Sequence, residues 1–417
     1  MDNCLGYQCS ICHQEYDISD SLYTCRKDGG NLDIFLDIGC LRKNFIPEDI
    51  LFTQENSIWR YLPLLPVKDP GQFATPFRSV GCTPIYQPKQ LVADLSLENL
   101  WIKDESKNPT ASLKDRASAL VVAKAMELNK ETIVTASTGN AGAALAGMAA
   151  AVNCRAVIFA PKTAPIAKIA QLLVFGASVY LVDGTYDDAF ELSIEVSNEF
   201  GWYCRNTGYN PYTVEGKKTI SFELWEYFHR HPTFKKPEIR WNILVSVGDG
   251  NIISGIHKGF MDLIDLGWLA QPPRLFGVQA EGSASISNAF FANNTDIKPV
   301  VAKTIADSIS VDLPRDGFRA LRSIRESQGQ AIVVSDKEIL QSIASLGKVG
   351  IFSEPAGAAA YAGLKKALAN GFIQEYEIVI VINTGSGLKD INAAIQSVPK
   401  APIIEPTLNA FKKVVKL

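Results

Sequence analysis

Lys114 stands in the run NPTASLKDR, residues 108–116, where Pro109 and Thr110 break the chain and Ser112 can cap a helix. Beyond it, Ala117, Leu120, Val121, Ala125 and Leu128, with the stem of Lys124, fall on one buried helical face. This spacing places Lys114 in the first turn of a packed helix, where the positive end of the helix dipole disfavours a cation. Burial and that field lower an amine's pKa, and a neutral lysine amine can attack a carbonyl to form a Schiff base. A lone lysine is ordinarily a solvated surface residue, so the case depends on its companions.

Three further loops accompany it. Ser137-Thr138-Gly139-Asn140-Ala141-Gly142 joins an apolar strand to an Ala-rich helix, and the free N–H groups at such a helix start suit an amino-acid carboxylate. Gly248-Asp249-Gly250-Asn251 follows the strand NILVSV and precedes the helical pattern Ile252–Phe260, an arrangement that suits a phosphate cradled by backbone amides. The next glycine is Gly255, so the spacing departs from the dinucleotide-binding G-x-G-x-x-G. Asn383-Thr384-Gly385-Ser386-Gly387 follows the buried strand EIVIVI. The Thr384 hydroxyl can bond a ring nitrogen without placing a full charge on it, which leaves a pyridine unprotonated.

The elements that must position these loops alternate along the chain. Strand-like Thr132–Ala136, Ala156–Phe159, Ser178–Val182 and Trp202–Cys204 are separated by helical patterns at Ala141–Val152, Ile166–Phe175 and Asp187–Phe200. Continuous apolar strands between helices signal a parallel sheet covered on both faces, so the expected class is α/β. The charged, Pro-containing stretch HRHPTFKKPE, residues 229–238, reads as a domain crossing. The alternation then resumes with Asn242–Val247, Leu275–Gln279, helical patterns at Asp336–Leu346 and Ala356–Leu368, and Glu377–Ile382. The expected division is an N-terminal segment over 1–45, a large domain from 46–112 and 236–400, a small domain over 113–235, and a tail over 401–417.

The 417 residues carry a net charge of −3 without long single-sign runs, which leaves no electrostatic footprint for nucleic acid or an anionic membrane. No apolar run approaches the roughly 18 residues that span a bilayer, and Met1–Gly6 lacks the features of a signal peptide, so a cytoplasmic protein with a small partner is expected. Eight cysteines make no disulfide framework here, and the isolated Cys40, Cys82, Cys154 and Cys204 are expected to be buried thiols.

Taken together, these loops make the sequence resemble threonine synthase, in the tryptophan-synthase-β-like, fold type II group of pyridoxal-phosphate enzymes. The similarity runs from about Gly81 to Asp390 and is carried by DESKNPTASLKDR (104–116), NPYTVEGKKT (210–219), GDGNIISGIHKGF (248–260), GVQAEGSA (277–284), EPAGAAA (354–360) and NTGSGLKD (383–390). The resemblance implies a two-lobed lyase of amino-acid biosynthesis with parallel-rich sheets, and a homodimer is expected. It implies that Lys114 holds the cofactor as a Schiff base and shuttles protons, with Asn140 at the phenolic oxygen, Gly248, Asp249, Gly250, Asn251 and Ile252 at the cofactor phosphate, and Thr384 at the pyridine nitrogen. Ser137, Thr138 and Gly139 would hold the substrate carboxylate. The implied reaction converts O-phospho-L-homoserine and water to L-threonine and phosphate.

The chain departs from the family in two places. Members acting on a phosphorylated substrate typically read NPYR where this chain reads NPYT, so Thr213 stands for an arginine, and Lys103, Lys107, Lys217 or Lys218 would have to compensate. Thr213 and Lys218 are therefore taken as substrate-contacting candidates. Without such compensation the reading becomes a sister β-replacement enzyme or dehydratase acting on serine, threonine or O-phosphoserine. A pseudoenzyme or amino-acid sensor is disfavoured because Lys114, Asn140, the glycine loop and Thr384 occur together. At the N-terminus, Cys9-x2-Cys12 and Cys25-x2-Asp28 resemble a zinc ribbon whose fourth ligand has become Asp28, with Cys4 or His13 as substitutes. A ribbon remnant without zinc is the expectation, with Cys9, Cys12, Cys25 and Asp28 as the weaker metal candidates.

Overall fold

The computed structural model describes residues 3–231 and 240–415. Short polar turns and capped helices partition the chain where the sequence pattern does. Ser335 and Glu338 bond reciprocally across the start of the helix Asp336–Gly347, as Thr185 and Asp188 do for Tyr186–Phe200, which ends on Gly201 at φ 64°. Among the described residues thirteen strands lie between such helices: β1 (Cys4–Cys9), β2 (Glu15–Asp17), β3 (Leu32–Leu36), β4 (Ile85–Tyr86), β5 (Leu100–Asp104), β6 (Thr132–Ala136), β7 (Arg155–Pro161), β8 (Ser178–Val182), β9 (Tyr203–Cys204), β10 (Trp241–Ser246), β11 (Arg274–Ala280), β12 (Gln330–Val334) and β13 (Ile378–Asn383).

They form three sheets. The largest runs β12-β11-β10-β13-β5-β4, parallel except for the β4–β5 pair; a four-stranded parallel sheet runs β8-β7-β6-β9; a small antiparallel sheet runs β2-β1-β3. Strand order reverses between β10 and β13 in the first and between β6 and β9 in the second, and crevices at the carboxyl ends of strands open at such reversals. The loops after β6, β9, β10 and β13 all lie there. The α/β class and the parallel sheets agree with expectation, as do the strands and helices anticipated after Ser112, to within a residue or two except that the helix anticipated over Ile252–Phe260 runs on to Asp265.

Three helices, Lys114–Glu127, Tyr212–His229 and Asn251–Asp265, stack beside the large sheet. Their approach needs bare backbone: a Cβ on Gly216 would lie 2.1 Å from the Arg116 carbonyl oxygen, and one on Gly259 would lie 2.4 Å from that of Lys218. His229 ends the second helix, and residues 232–238 of the anticipated domain crossing lie outside the described residues. Among the described residues no helix is long and apolar enough to cross a membrane. Of the four isolated cysteines only Cys204 is buried; Cys40, Cys82 and Cys154 are half-buried.

Candidate active site

Lys114 is the first residue of its helix, and the turn before it is pinned from two sides. The Leu113 N–H donates to the Thr384 carbonyl at 2.9 Å, and Ser386 N–H donates to the Ala111 carbonyl at 3.1 Å, so the lysine turn and the loop after β13 form one unit. Asp115 accepts the Thr110 N–H at 2.6 Å and the Thr110 hydroxyl as well, yet burial still lifts its carboxyl to about 6. Lys114 makes no hydrogen bond or ion pair among the described residues. Desolvation and the nearby Arg205 charge bring its amine down to about 8, against a partial pull upward from Asp249 and Glu354.

Beneath the lysine turn, Arg116 anchors the helix in a buried ionic network. Its guanidinium forks onto Glu105 at 2.7 Å through Nε and Nη2, and onto Glu223 at 2.5 Å through Nη1. Lys103 reaches the same Glu223 at 2.5 Å. Burial alone would raise the Glu223 carboxyl, but Arg116 and Lys103 outweigh it and hold it at about 2.

The loop after β6 starts the helix Asn140–Ala151 without a side-chain cap, so its first N–H groups are available to an anion. Asn140 gives its amide to both oxygens of the buried Glu354, each at 2.9 Å, and the Thr384 hydroxyl lies 3.5 Å from the same carboxyl. Glu354 sits in the EPAGAAA segment and went without a role in the sequence reading; its contact with two site residues from different sheets is visible only in three dimensions. Burial raises its carboxyl.

After β10, Gly250 at φ 94° precedes the helix Asn251–Asp265, again with no side-chain cap. Asn251 donates to Asp316 at 2.8 Å and accepts from Lys217. Lys217 is wholly buried, and burial, Lys114 and Arg205 drive its amine well below the ordinary lysine value. After β9 comes Arg205, also wholly buried. Its Nε meets Ser118 at 3.2 Å and Nη1 meets Thr207 at 2.6 Å, while Nη2 has no partner. A buried guanidinium with no carboxylate on it is costly unless an anion arrives.

The family described as "Pyridoxal-phosphate dependent enzyme" matches residues 77–385. The threonine synthase of Methanocaldococcus jannaschii is 36% identical over 412 residues, 98% of this chain and 99% of that protein. The threonine synthase of Methanosarcina acetivorans is 35% identical, covering 98% of both. The chain belongs to the threonine synthase family. Solved structures support the fold: diaminopropionate ammonia lyase from Escherichia coli superposes with a TM-score of 0.65 at 19% identity over 84% of this chain and 95% of that one. Threonine deaminase isoform 2 from Solanum lycopersicum gives 0.63 at 22%, over 82% and 89%.

As a member of that family the chain is a pyridoxal-phosphate-dependent lyase, and its residues suit the cofactor. The unpaired Lys114 amine, poised at about 8, meets the requirement for a Schiff-base lysine, and the uncapped helix start at Gly250 meets that for a phosphate. Two of the substrate candidates are engaged within the protein itself. Lys218 is wholly buried with its charge matched by Glu215 at 2.5 Å and Asp262 at 2.8 Å. The Thr213 hydroxyl is occupied by the Asn210 carbonyl at 2.8 Å. Lys103 is likewise held by Glu223, and Lys107 is an exposed side chain 3.7 Å from Asp104. Of the four compensating lysines only Lys217 borders the site. Arg205 was missed by sequence reasoning; the one available signal was its position just past a strand beside the reversal in strand order.

Proposed function

We propose that the chain converts O-phospho-L-homoserine and water to L-threonine and phosphate, with Arg205 and Lys217 gripping the substrate phosphate in place of the arginine replaced by Thr213. The observation that carries this reading is the unpartnered Nη2 of the buried Arg205 beside Lys114. Lys114 holds the cofactor, Asn140 and Thr384 orient it, and the amides of 248–252 receive its phosphate; Ser137, Thr138 and Gly139 receive the substrate carboxylate.

When bound, the cofactor supplies an electron sink that stabilises negative charge at the substrate α-carbon. Lys114 Nζ takes the Cα proton and then a Cβ proton, and phosphate departs from Cγ toward Arg205 and Lys217. A proton returns to Cγ, water adds its hydroxyl to Cβ while its remaining proton goes to the departed phosphate, and Cα regains its proton, which balances the reaction. Thr384 presents a neutral hydroxyl, so nothing at its position compels protonation of the ring nitrogen. The reading includes a cytoplasmic location and a homodimer, the latter checked by sedimentation of the purified protein.

The decisive assay follows phosphate release and amino-acid product from O-phosphohomoserine, O-phosphoserine, serine and threonine. Stoichiometric threonine and phosphate from the first alone supports the reading, with Lys114→Ala lower by several orders of magnitude. No turnover of phosphohomoserine by the wild type overturns it.

A further inference from the structure

The two N-terminal turns, Cys9–His13 and Cys25–Gly29, repeat one another bond for bond. Cys9 Sγ accepts the Ile11 N–H at 3.4 Å, and Cys25 Sγ accepts the Lys27 N–H at 3.4 Å. His13 N–H returns to the Cys9 carbonyl at 3.1 Å, and Gly29 N–H to the Cys25 carbonyl at 2.9 Å. Both closing residues have positive φ, 59° at His13 and 71° at Gly29. In this correspondence Asp28 occupies in its turn the place Cys12 occupies in the other.

The four ligand atoms of Cys9, Cys12, Cys25 and Asp28 lie within 4.8 Å of one another. Cys12 Sγ is 3.7 Å from Cys25 Sγ, and Cys9 Sγ is 3.3 Å from an Asp28 carboxylate oxygen. A disulfide would need about 2.05 Å, whereas sulfurs at the corners of a tetrahedron around an ion bound at about 2.3 Å stand about 3.8 Å apart. The Gly30 N–H, at 2.9 Å, fixes one Asp28 oxygen in place, as a partner to a ligand atom does. We infer that Cys9, Cys12, Cys25 and Asp28 form a tetrahedral site for one zinc-like divalent ion, with Asp28 as a true ligand. Three thiolates select a soft or borderline metal over calcium or magnesium.

The site is coupled to the segment around β9 and the loop after it through the residues between and after the turns. Tyr23 accepts the Cys204 N–H at 2.9 Å and stacks on Tyr209 with centroids 4.8 Å apart. Asn31 donates to the Gly208 carbonyl at 2.5 Å and to that of Arg315 at 3.2 Å. The ion would hold rigid the segment that braces the chain on both sides of Arg205.

The test measures metal, independently of turnover and hence of the reaction assigned above. Full-length protein, purified under reducing conditions and reconstituted with zinc, should hold about one ion per chain by elemental analysis. Cobalt(II) in its place should give a thiolate charge-transfer band in the near ultraviolet. Cys12→Ser and Asp28→Ala should each lower the zinc affinity at least tenfold, and Asp28→Cys should retain one ion more tightly. Zinc that survives unchanged in Cys12→Ser and Asp28→Ala, or a cobalt complex without the thiolate band, overturns the site. So does a wild type that binds none while Asp28→Cys binds one, since that result makes Asp28 a lost ligand.

Discussion

Glu354 holds the side-chain amide of Asn140 through both carboxylate oxygens, each 2.9 Å from Nδ2. Burial raises that carboxyl, and glutamine would keep an oxygen acceptor for the same amide. Glu354→Gln should retain most activity, whereas Glu354→Ala leaves the Asn140 amide without its partner and should lower kcat/KM by roughly tenfold to a hundredfold, since an unsatisfied buried group costs about 1–3 kcal/mol. Equal losses in the two variants would show that the charge itself acts.

Arg205→Met should raise KM for O-phosphohomoserine roughly tenfold to a hundredfold, because a charge-assisted hydrogen bond contributes about 1.5–3 kcal/mol. The same change removes a charge that lowers the Lys114 amine, so that amine's pKa rises above about 8 and more of it is protonated at neutral pH. The acidic limb of the rate profile should therefore move to higher pH. If both KM and the limb stay where they are, Arg205 does not face the substrate.

Glu223→Gln removes one partner from the Arg116 network and should destabilise the fold by about 3–5 kcal/mol, read as a lower urea midpoint. The Glu223 carboxyl is held at about 2, below its ordinary 4.5, so its stabilisation is complete above 4.5 and is lost as pH falls toward 2. Acid unfolding followed by circular dichroism should be steeper across that window in the wild type than in the variant.

Gly250→Ala should lose bound cofactor. The residue sits at φ 94°, and an added Cβ would lie 2.6 Å from the Asp316 carbonyl oxygen. Gly139→Ala, whose Cβ would meet nothing within 4 Å, should keep its cofactor, and cofactor per chain measured by absorbance separates the two.

The helix starts after β6 and β10 and the packed helix behind Lys114 were legible because each leaves a local signature, glycine at the two turns and an apolar period along the helix. Arg205 left none, since it follows a two-residue strand and owes its place to the pairing of β9 with β6, two segments about seventy residues apart. The partners of Lys218 were hidden for the same reason. A lysine in a helix reads as a free cation until Asp262, on another helix, is seen to hold it.

The insertion of β13 between β10 and β5 also sets the order of assembly. The four-stranded sheet, residues 132–204, can close from its own neighbouring segments, whereas β5 waits for a partner that leaves the ribosome nearly three hundred residues later. Until then β5 and β10 present open edges to other chains. Because the Lys114 turn is pinned by Thr384, directly after that last strand, a chain ending before β13 would lack both the finished sheet and this pin on the lysine turn.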